Sequence, residues 1–514
     1  MSPDIAALVH RVVSNMTLEE KVGQLLQADI SSVTPEDVRR YHLGSVLAGG
    51  NSAPDQDVRV SATRWRELTQ RYFEASLAGT RNGQPAVPVL FGIDAVHGNA
   101  RIPGATVFPH NVGLGAMHDP PLMEKIGRAT AAEVAAIGAD WTFSPDVAVV
   151  RDVRWGRSYE SYSEDPQLVA AYARSLLTGL QGSPGTADFF AAGHVLASVK
   201  HFIGDGSTLG GRDQFDSRVD EGNLRDIHSA GYIAAIGAGA LNVMASYNGW
   251  QGQKMHANRG LLTDVLKGRW SFPGFVVGDW NAQEEIPGCT KYDCPDILLA
   301  GVDMYMAPDS WKQLYWHLLA EARAGRIPMA RLDDAVRRIV LVKALMHRLG
   351  DDAAARRTAA ADTALLGSAD HRSIARQAVR ESLVLLKNNA HTLPLNAAAT
   401  ILVAGAAADS IPDQCGGWTI DWQGDHNHNA DLPGATSLYG GIRAAVEAAG
   451  GHALLSPDGS YSERPAAAIV IFGEGPYAEF EGDRETLELP NADSAHLKIL
   501  HRLHEAGIPV VSVL

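Results

Sequence analysis

Residues Gly274-Phe275-Val276-Val277-Gly278-Asp279-Trp280 run three apolar, strand-forming side chains into a glycine, a carboxylate and a large aromatic. A buried strand that ends on an acid fixes that acid at a sheet's edge. The indole beside it offers a flat apolar face of the kind on which a sugar ring can lie. Outward from this stretch, short apolar runs alternate with Ala-rich helical patterns. Residues 87–93, 143–150, 196–202, 241–246, 275–278 and 302–306 are expected strands, and 121–136 and 332–346 expected helices. Alternation of this kind over roughly the first 350 residues predicts a parallel α/β domain. Barrels of that class run ~250 residues, or more than ~400 with insertions.

Before these runs, Thr17-Leu18-Glu19-Glu20 is a capping-box signature opening an amphipathic helix with Leu18, Val22, Leu25 and Leu26 on one face. After them, residues 351–370 are Ala- and Arg-rich with weak periodicity and are expected to form a linker. A helix over 372–381 and strands over 383–386, 401–404, 468–472 and 510–514 then predict a second α/β unit with an open sheet. The expected division is a first domain over 1–350, the linker, and a second domain over 371–514. The second is expected to be incomplete, because Leu514 sits inside or at the edge of a strand with nothing after it to finish the layer.

At 514 residues the chain exceeds one ordinary core. Its 46% apolar and 20% charged residues are a globular balance. A net charge of −15 argues against nucleic acid or an anionic membrane as partner. No apolar run approaches the ~20 residues of a membrane span. Residues 1–29 show no signal peptide, which implies a cytoplasmic protein as it stands, or a periplasmic or secreted one if a leader was removed. The three cysteines, Cys289, Cys294 and Cys415, make neither a disulfide scaffold nor a four-thiolate zinc site. Cys289 and Cys294 are close enough to close one small loop, or stand as two free thiols. The histidines show no HExxH-type spacing, so neither metal nor cofactor is expected.

Almost every expected strand of the first domain ends on a polar residue. Asp94 ends the first; Asp152, Arg154 and Arg157 follow the second; Lys200 and His201 end the third; Tyr247 and Asn248 the fourth; Asp279 the fifth. Active sites of α/β barrels are built from C-terminal strand ends. Any one of these residues is equally well a loop cap or an ion pair, but packing alone does not put five in register. Their chemistry suits a polyol. Asp94 can accept from adjacent hydroxyls, while Arg157, Lys200 and His201 can donate, at ~1.5–3 kcal/mol for each charge-assisted bond. Asp152 and Arg154 can instead pair with each other. The second domain adds Trp418 and Trp422 in a Gly-rich loop, and Glu474, Glu479 and Glu481 after an apolar strand. Lys200 at a strand end is also compatible with Schiff-base chemistry, but that needs an apolar pocket, and His201 and Asp205 are its neighbours in sequence.

Seven motifs, in order, resemble glycoside hydrolase family 3, in particular its exo-acting β-glucan glucohydrolases and β-glucosidases. They are Gly92-Ile93-Asp94-Ala95-Val96-His97-Gly98; Arg154-Trp155-Gly156-Arg157 through Ser163-Glu164-Asp165; Lys200-His201-Phe202-Ile203-Gly204-Asp205-Gly206; Val243-Met244-Ala245-Ser246-Tyr247; Gly278-Asp279-Trp280; Cys415-Gly416-Gly417-Trp418; and Gly473-Glu474 through Gly482-Asp483. The resemblance implies a (β/α)8-type barrel followed by an α/β sandwich. It implies retaining hydrolysis that releases glucose from the non-reducing end of a β-linked gluco-oligosaccharide or β-glucoside. By position, Asp279 resembles the nucleophile and Glu479 the acid/base, with Glu474 the runner-up. Asp94, Arg157, Lys200, His201 and Tyr247 resemble contacts to the sugar undergoing cleavage, with Arg212 and Met244 as further members. Trp280 and Trp422 resemble the two indoles of the next subsite.

Two alternatives remain beside the glucosidase reading: a β-xylosidase of the same family, and a sugar-binding fragment with impaired catalysis. The family's N-acetylglucosaminidase branch places a catalytic His after a Lys-His-Phe-Pro-Gly motif. Here Ile203 stands for the Pro and Asp205-Gly206 follow, which favours the glucosidase branch.

Overall fold

The computed structural model describes residues 3–79, 85–349, 357, 362–488 and 495–514. Most of the expected linker, 351–356 and 358–361, lies outside them. The chain divides into two compact units. One is Met1–Ser382 together with Glu479–Arg484; the other is Leu383–Ala478 with Glu485–Leu514.

The first unit is an eight-stranded parallel sheet. Its strands are β1 (Leu26–Asp29), β2 (Ser45–Ala48), β3 (Leu90–Ile93), β4 (Trp141–Thr142), β5 (Leu196–Phe202), β6 (Asn242–Ala245), β7 (Phe275–Val277) and β8 (Tyr305–Met306). The order is β7-β6-β5-β4-β3-β2-β1-β8. The parallel bridge Val277–Met304, with Gly278 N–H donating to Met304 O at 2.8 Å, closes β7 onto the approach to β8. The result is a (β/α)8-type barrel whose strand C-termini share one rim. Long helices flank the strands, among them Ala62–Ala78, Pro120–Ala136, Pro166–Gln181 and Met329–Leu345. Two begin on an aspartate cap followed by proline: Asp119 accepts from Leu122 N–H and Asp165 from Gln167 N–H.

The barrel interior is packed around Trp141, which is fully buried and meets Phe143 and Phe275 edge-on at 5.2 and 5.4 Å. Its Nε1–H donates to Ser198 Oγ at 2.8 Å. Ser198 in turn donates to Asn242 Oδ1, and Asn242 Nδ2–H donates to Phe275 O. A buried polar chain thus crosses β4 to β7 with each of these donors satisfied.

The Thr17 capping box forms as expected, but its helix stops at Gln24 and Leu26 opens β1 instead of continuing the apolar face. Strands β1 and β2, four residues each and buried at every position, have no counterpart among the expected strands. The expected strand over 143–150 does not form, and β4 is Trp141–Thr142 just ahead of it. Pro145 brings no N–H to the ladder, and pairing beyond it is limited to a bridge between Asp146 and Lys200. Cys289 and Cys294 are joined as a disulfide, and Cys415 is free.

The second unit is a four-stranded parallel sheet: β9 (Thr400–Ala404), β10 (His452–Leu455), β11 (Ala467–Ile471) and β12 (Val510–Val513), in the order β10-β9-β11-β12. Alternate residues supply two cores. Ile401, Val403, Ala467 and Ile471 pack with Val446 of helix Leu438–Ala448. Leu402, Ala404, Ala468 and Val470 pack with Ile499 and Leu503 of helix Ala495–Glu505. Both faces are covered, giving an α/β sandwich. Strand β10 has no counterpart among the expected strands. The expected strand over 383–386 is absent: Leu383 and Leu386 are 74% and 82% exposed in irregular backbone. Their apolar composition is a preference that needs a neighbouring strand to be realised.

Candidate active site

The C-terminal rim of the barrel gathers most of the expected residues. Asp94 follows β3, Lys200 and His201 close β5, Tyr247 follows β6 and Asp279 follows β7. Lys200 Nζ lies 3.6 Å from Asp94 Oδ1, and both side chains are buried. Burial pushes the Asp94 carboxyl above its usual range, against the pull of Lys200 and Arg101, while the Asp279 charge adds to the push. Lys200 therefore sits as an ion pair, not in the apolar pocket that Schiff-base chemistry requires.

His201 Nδ1 lies 3.1 Å from Asp205 Oδ2 and 3.5 Å from Asp146 Oδ2. Burial and Arg157 work against a charged imidazole, but the two carboxylates prevail and hold its pKa up to about 9. Asp146, His201 and Asp205 bring ligand-type atoms within 4.8 Å of one another. The imidazolium itself supplies the cation between the two acids. A second such group, Asp421, Asp425 and His426, lies in the other unit, with two of its three members exposed.

Arg157 is buried and forked. One arm donates to Glu160 Oε2 at 2.9 Å, the other to Glu479 Oε1 at 3.0 Å. Glu479 reaches the barrel on a short 3-10 turn, Glu479–Gly482, which belongs to the first unit. Asp483 anchors that turn: Oδ1 accepts from Gly156 N–H and Oδ2 from Asp213 N–H, each at 2.8 Å. Arg484 N–H donates to Arg154 O at 3.0 Å. Gly156 has to be a glycine, since a Cβ there would lie 2.1 Å from Glu479 O. Asp213 Oδ1 accepts from Trp155 Nε1–H. Burial pushes the Glu479 carboxyl up, Arg157 pulls it down, and the charges of Asp213 and Asp279 raise it again, leaving it at about 7.

Asp279 is half-buried. Its Oδ1 accepts from Trp280 N–H at 2.7 Å and its own N–H donates to His256 Nε2 at 3.0 Å. The Asp279 charge is felt by Asp94, by Glu479 and by Tyr247, whose phenol is held well above its ordinary value by burial and then by Asp279 and Glu479. These four side chains therefore share one electrostatic neighbourhood. Trp280 is 39% exposed and rests on Gly49, where an added Cβ would come within 2.4 Å of the ring.

Arg212 is exposed, its guanidinium over the Phe215 ring at 4.9 Å. Met244 is buried inside β6. Asp152 and Arg154 form their own pair at 2.6 Å. In the second unit, Glu474 is exposed and accepts from Tyr477 Oη at 2.7 Å. Trp422 is half-buried in a loop closed by Trp418 N–H donating to Trp422 O. Glu160, Asp146, Asp213, Asp483 and His256 are not among the residues that the sequence singles out. Glu160 and Asp483 lie within quoted motifs, Asp146 within the expected strand over 143–150 and Asp213 beside Arg212, and none gives a separate sign of buried partners; nothing marks His256.

Comparison with known proteins agrees with this arrangement. Residues 17–342 match the model for the glycosyl hydrolase family 3 N terminal domain, and residues 383–514 that for the family's C-terminal domain. A lysosomal beta glucosidase of Dictyostelium discoideum is 29% identical over 98% of this chain and 65% of its own length. A periplasmic beta-glucosidase of Salmonella typhimurium is 32% identical over 80% of this chain and 52% of its own. Among solved structures, the exo-1,3/1,4-beta-glucanase of a Pseudoalteromonas species superposes with a TM-score of 0.96 at 45% identity, covering 99% of this chain and 64% of that one. A beta-glucosidase of Listeria innocua in complex with isofagomine superposes with a TM-score of 0.80 at 26% identity, over 100% of this chain and 69% of that one. The chain thus spans just under two thirds of the Dictyostelium and Pseudoalteromonas proteins. With family models matched across both of its units, the chain belongs to glycosyl hydrolase family 3.

Proposed function

We propose that the protein is a retaining, exo-acting β-glycoside hydrolase that releases glucose from β-glucosides or β-linked gluco-oligosaccharides, with Asp279 as nucleophile and Glu479 as acid/base. The observation that carries this reading is a carboxyl, Glu479, held beside Arg157 and within the charge of a second, Asp279. Glu479 is largely buried and holds its proton to about pH 7, as a general acid must. Asp279 stands at a strand end with one oxygen tied to its neighbour's N–H. In the first step Asp279 attacks the anomeric carbon while Glu479 protonates the departing oxygen. Glu479, now a carboxylate facing the Arg157 guanidinium, takes a proton from water, which hydrolyses the glycosyl-enzyme. Asp94, Lys200, His201 and Arg157 supply the charged donors and acceptors for sugar hydroxyls. Retention requires the two carboxyls ~5–5.5 Å apart around the sugar.

The names of the beta-glucosidase and exo-glucanase relatives favour glucose; a Formosa agariphila relative named Beta-xylosidase is 27% identical. The Cys289–Cys294 disulfide suits a compartment where disulfides persist. Denatured, unreduced protein then titrates one thiol, and three would exclude the pairing. For the reaction, a 2-deoxy-2-fluoro-β-glucoside with a good leaving group should label Asp279, and Asp279→Asn should abolish turnover of every glycoside. Near-normal turnover by that variant, with deamidation excluded, ends the assignment.

A further inference from the structure

We infer that His256 is a positioning residue for the proposed nucleophile: its neutral imidazole holds the Asp279 backbone through Nε2. The inference rests on the assignment of Asp279 and goes beyond it to the group that aims the carboxylate.

The geometry is specific to this point of the chain. Strand β7 ends at Val277, and Gly278 N–H donates to the neighbouring backbone at Met304 O. The next amide, of Asp279, finds no carbonyl and donates to His256 Nε2 at 3.0 Å. Beyond it the chain turns, with Ala282 N–H donating to Asp279 O at 3.0 Å and Asn281 N–H to Met306 O at 2.9 Å. His256 thus fastens the stretch between two ties to the barrel backbone, Gly278 to Met304 and Asn281 to Met306, where the chain carries Trp280.

The imidazole is itself held. It is 2% exposed, on the 3-10 turn Met255–Ala257, which is tied back by Met255 N–H donating to Asn248 O at 3.1 Å. Nε2 accepts from Asp279 N–H, so the neutral ring carries its proton on Nδ1, the nitrogen left to face the Ser246 backbone. Burial favours this neutral form. The ring lies directly against the Gly278 backbone, where an added Cβ would meet His256 Cδ2 in ordinary contact at 3.5 Å. A nucleophile displaced by ~1 Å loses rate by ~100-fold, so the bond acts on the chemical step and not on ground-state sugar binding.

Two substitutions separate the ring's two bonds. His256→Asn keeps a donor near Nδ1 for Ser246 but has nothing at Nε2; His256→Gln keeps an oxygen acceptor near Nε2. Each variant of the full chain is melted, titrated with glucose, and timed for labelling of Asp279 by the 2-deoxy-2-fluoro-β-glucoside. His256→Asn should slow labelling ~10- to 100-fold while glucose affinity stays within about threefold, and His256→Gln should recover most of the rate. Labelling by His256→Asn within threefold of the parent overturns the inference, as does an equal loss in both variants. If His256→Asn fails to fold, His256→Gln decides: a loss beyond tenfold in a folded protein overturns it. A parent protein that labels elsewhere than Asp279 sinks the proposed function instead, and this inference with it.

Discussion

Glu479 keeps a proton near neutrality because its carboxyl is largely buried between opposing influences. Desolvation and the charges of Asp213 and Asp279 outweigh the Arg157 guanidinium 3.0 Å away. The retained proton acts on rate and on stability with opposite signs. In the proposed role of general acid, Glu479 works only while protonated, so kcat/KM on cellobiose or laminaribiose should fall as pH rises through about 7. Glu479→Gln should remove that limb and cost ~10²–10⁴-fold on such substrates, yet cost far less on aryl glycosides with good leaving groups. Equal losses on both would point away from an acid role. For stability, the folded pKa is raised above the ordinary 4.5. Below 4.5 both states hold the proton and no cost arises. Between 4.5 and about 7 the unfolded chain releases it while the folded chain does not, so the native state is increasingly disfavoured, and the cost is complete above about 7. Melting curves should therefore show Glu479→Gln more stable than the parent at pH 8, with the gap closing toward pH 4.

At the scale of elements, the proposed acid depends on a turn held by its neighbours' backbone. Asp483 accepts from Gly156 and Asp213, and the turn lies so close to Gly156 that a methyl group there overlaps Glu479 O. Gly156→Ala should lower kcat ~100-fold through displacement of Glu479, with labelling of Asp279 by an activated fluoroglycoside much less affected, since that step barely needs the acid. If both rates fall together, the damage reaches beyond the turn. Trp280 depends on Gly49 in the same manner. Gly49→Ala should raise KM for disaccharides about tenfold, a cost of ~1.4 kcal/mol, and leave the labelling rate of Asp279 near the parent's. Steady-state kinetics on cellobiose checks this.

At the scale of the molecule, the first unit is tied across its length by buried charge. Asp140, just ahead of β4, accepts from Arg357 at 2.8 and 2.9 Å and pairs with Arg348 at 2.8 Å, all three buried. Asp140→Ala leaves two guanidinium groups without that partner and should destabilise the unit by ~3–5 kcal/mol, read as a lower urea midpoint. Much of this molecule was written locally. The runs that became β3, β5, β6, β7, β9 and β11, the capping box at Thr17, and the acids and bases at strand ends needed only a strand's composition and its terminus to be recognised. A parallel barrel then carries those termini to one rim. Where strands are only four residues long and buried throughout, as in β1 and β2, or where a strand needs a neighbour, as over 383–386, local pattern failed. The sequence by itself determined which residues could do chemistry and the fold class that would collect them. Only the tertiary structure decided how they are held and charged: Asp483 against Gly156, 327 residues apart, Arg157 forked between Glu160 and Glu479, His256 behind Asp279. Hydrogen bonds and desolvation act through distance in space, and that distance is set by packing that no single stretch of chain encodes.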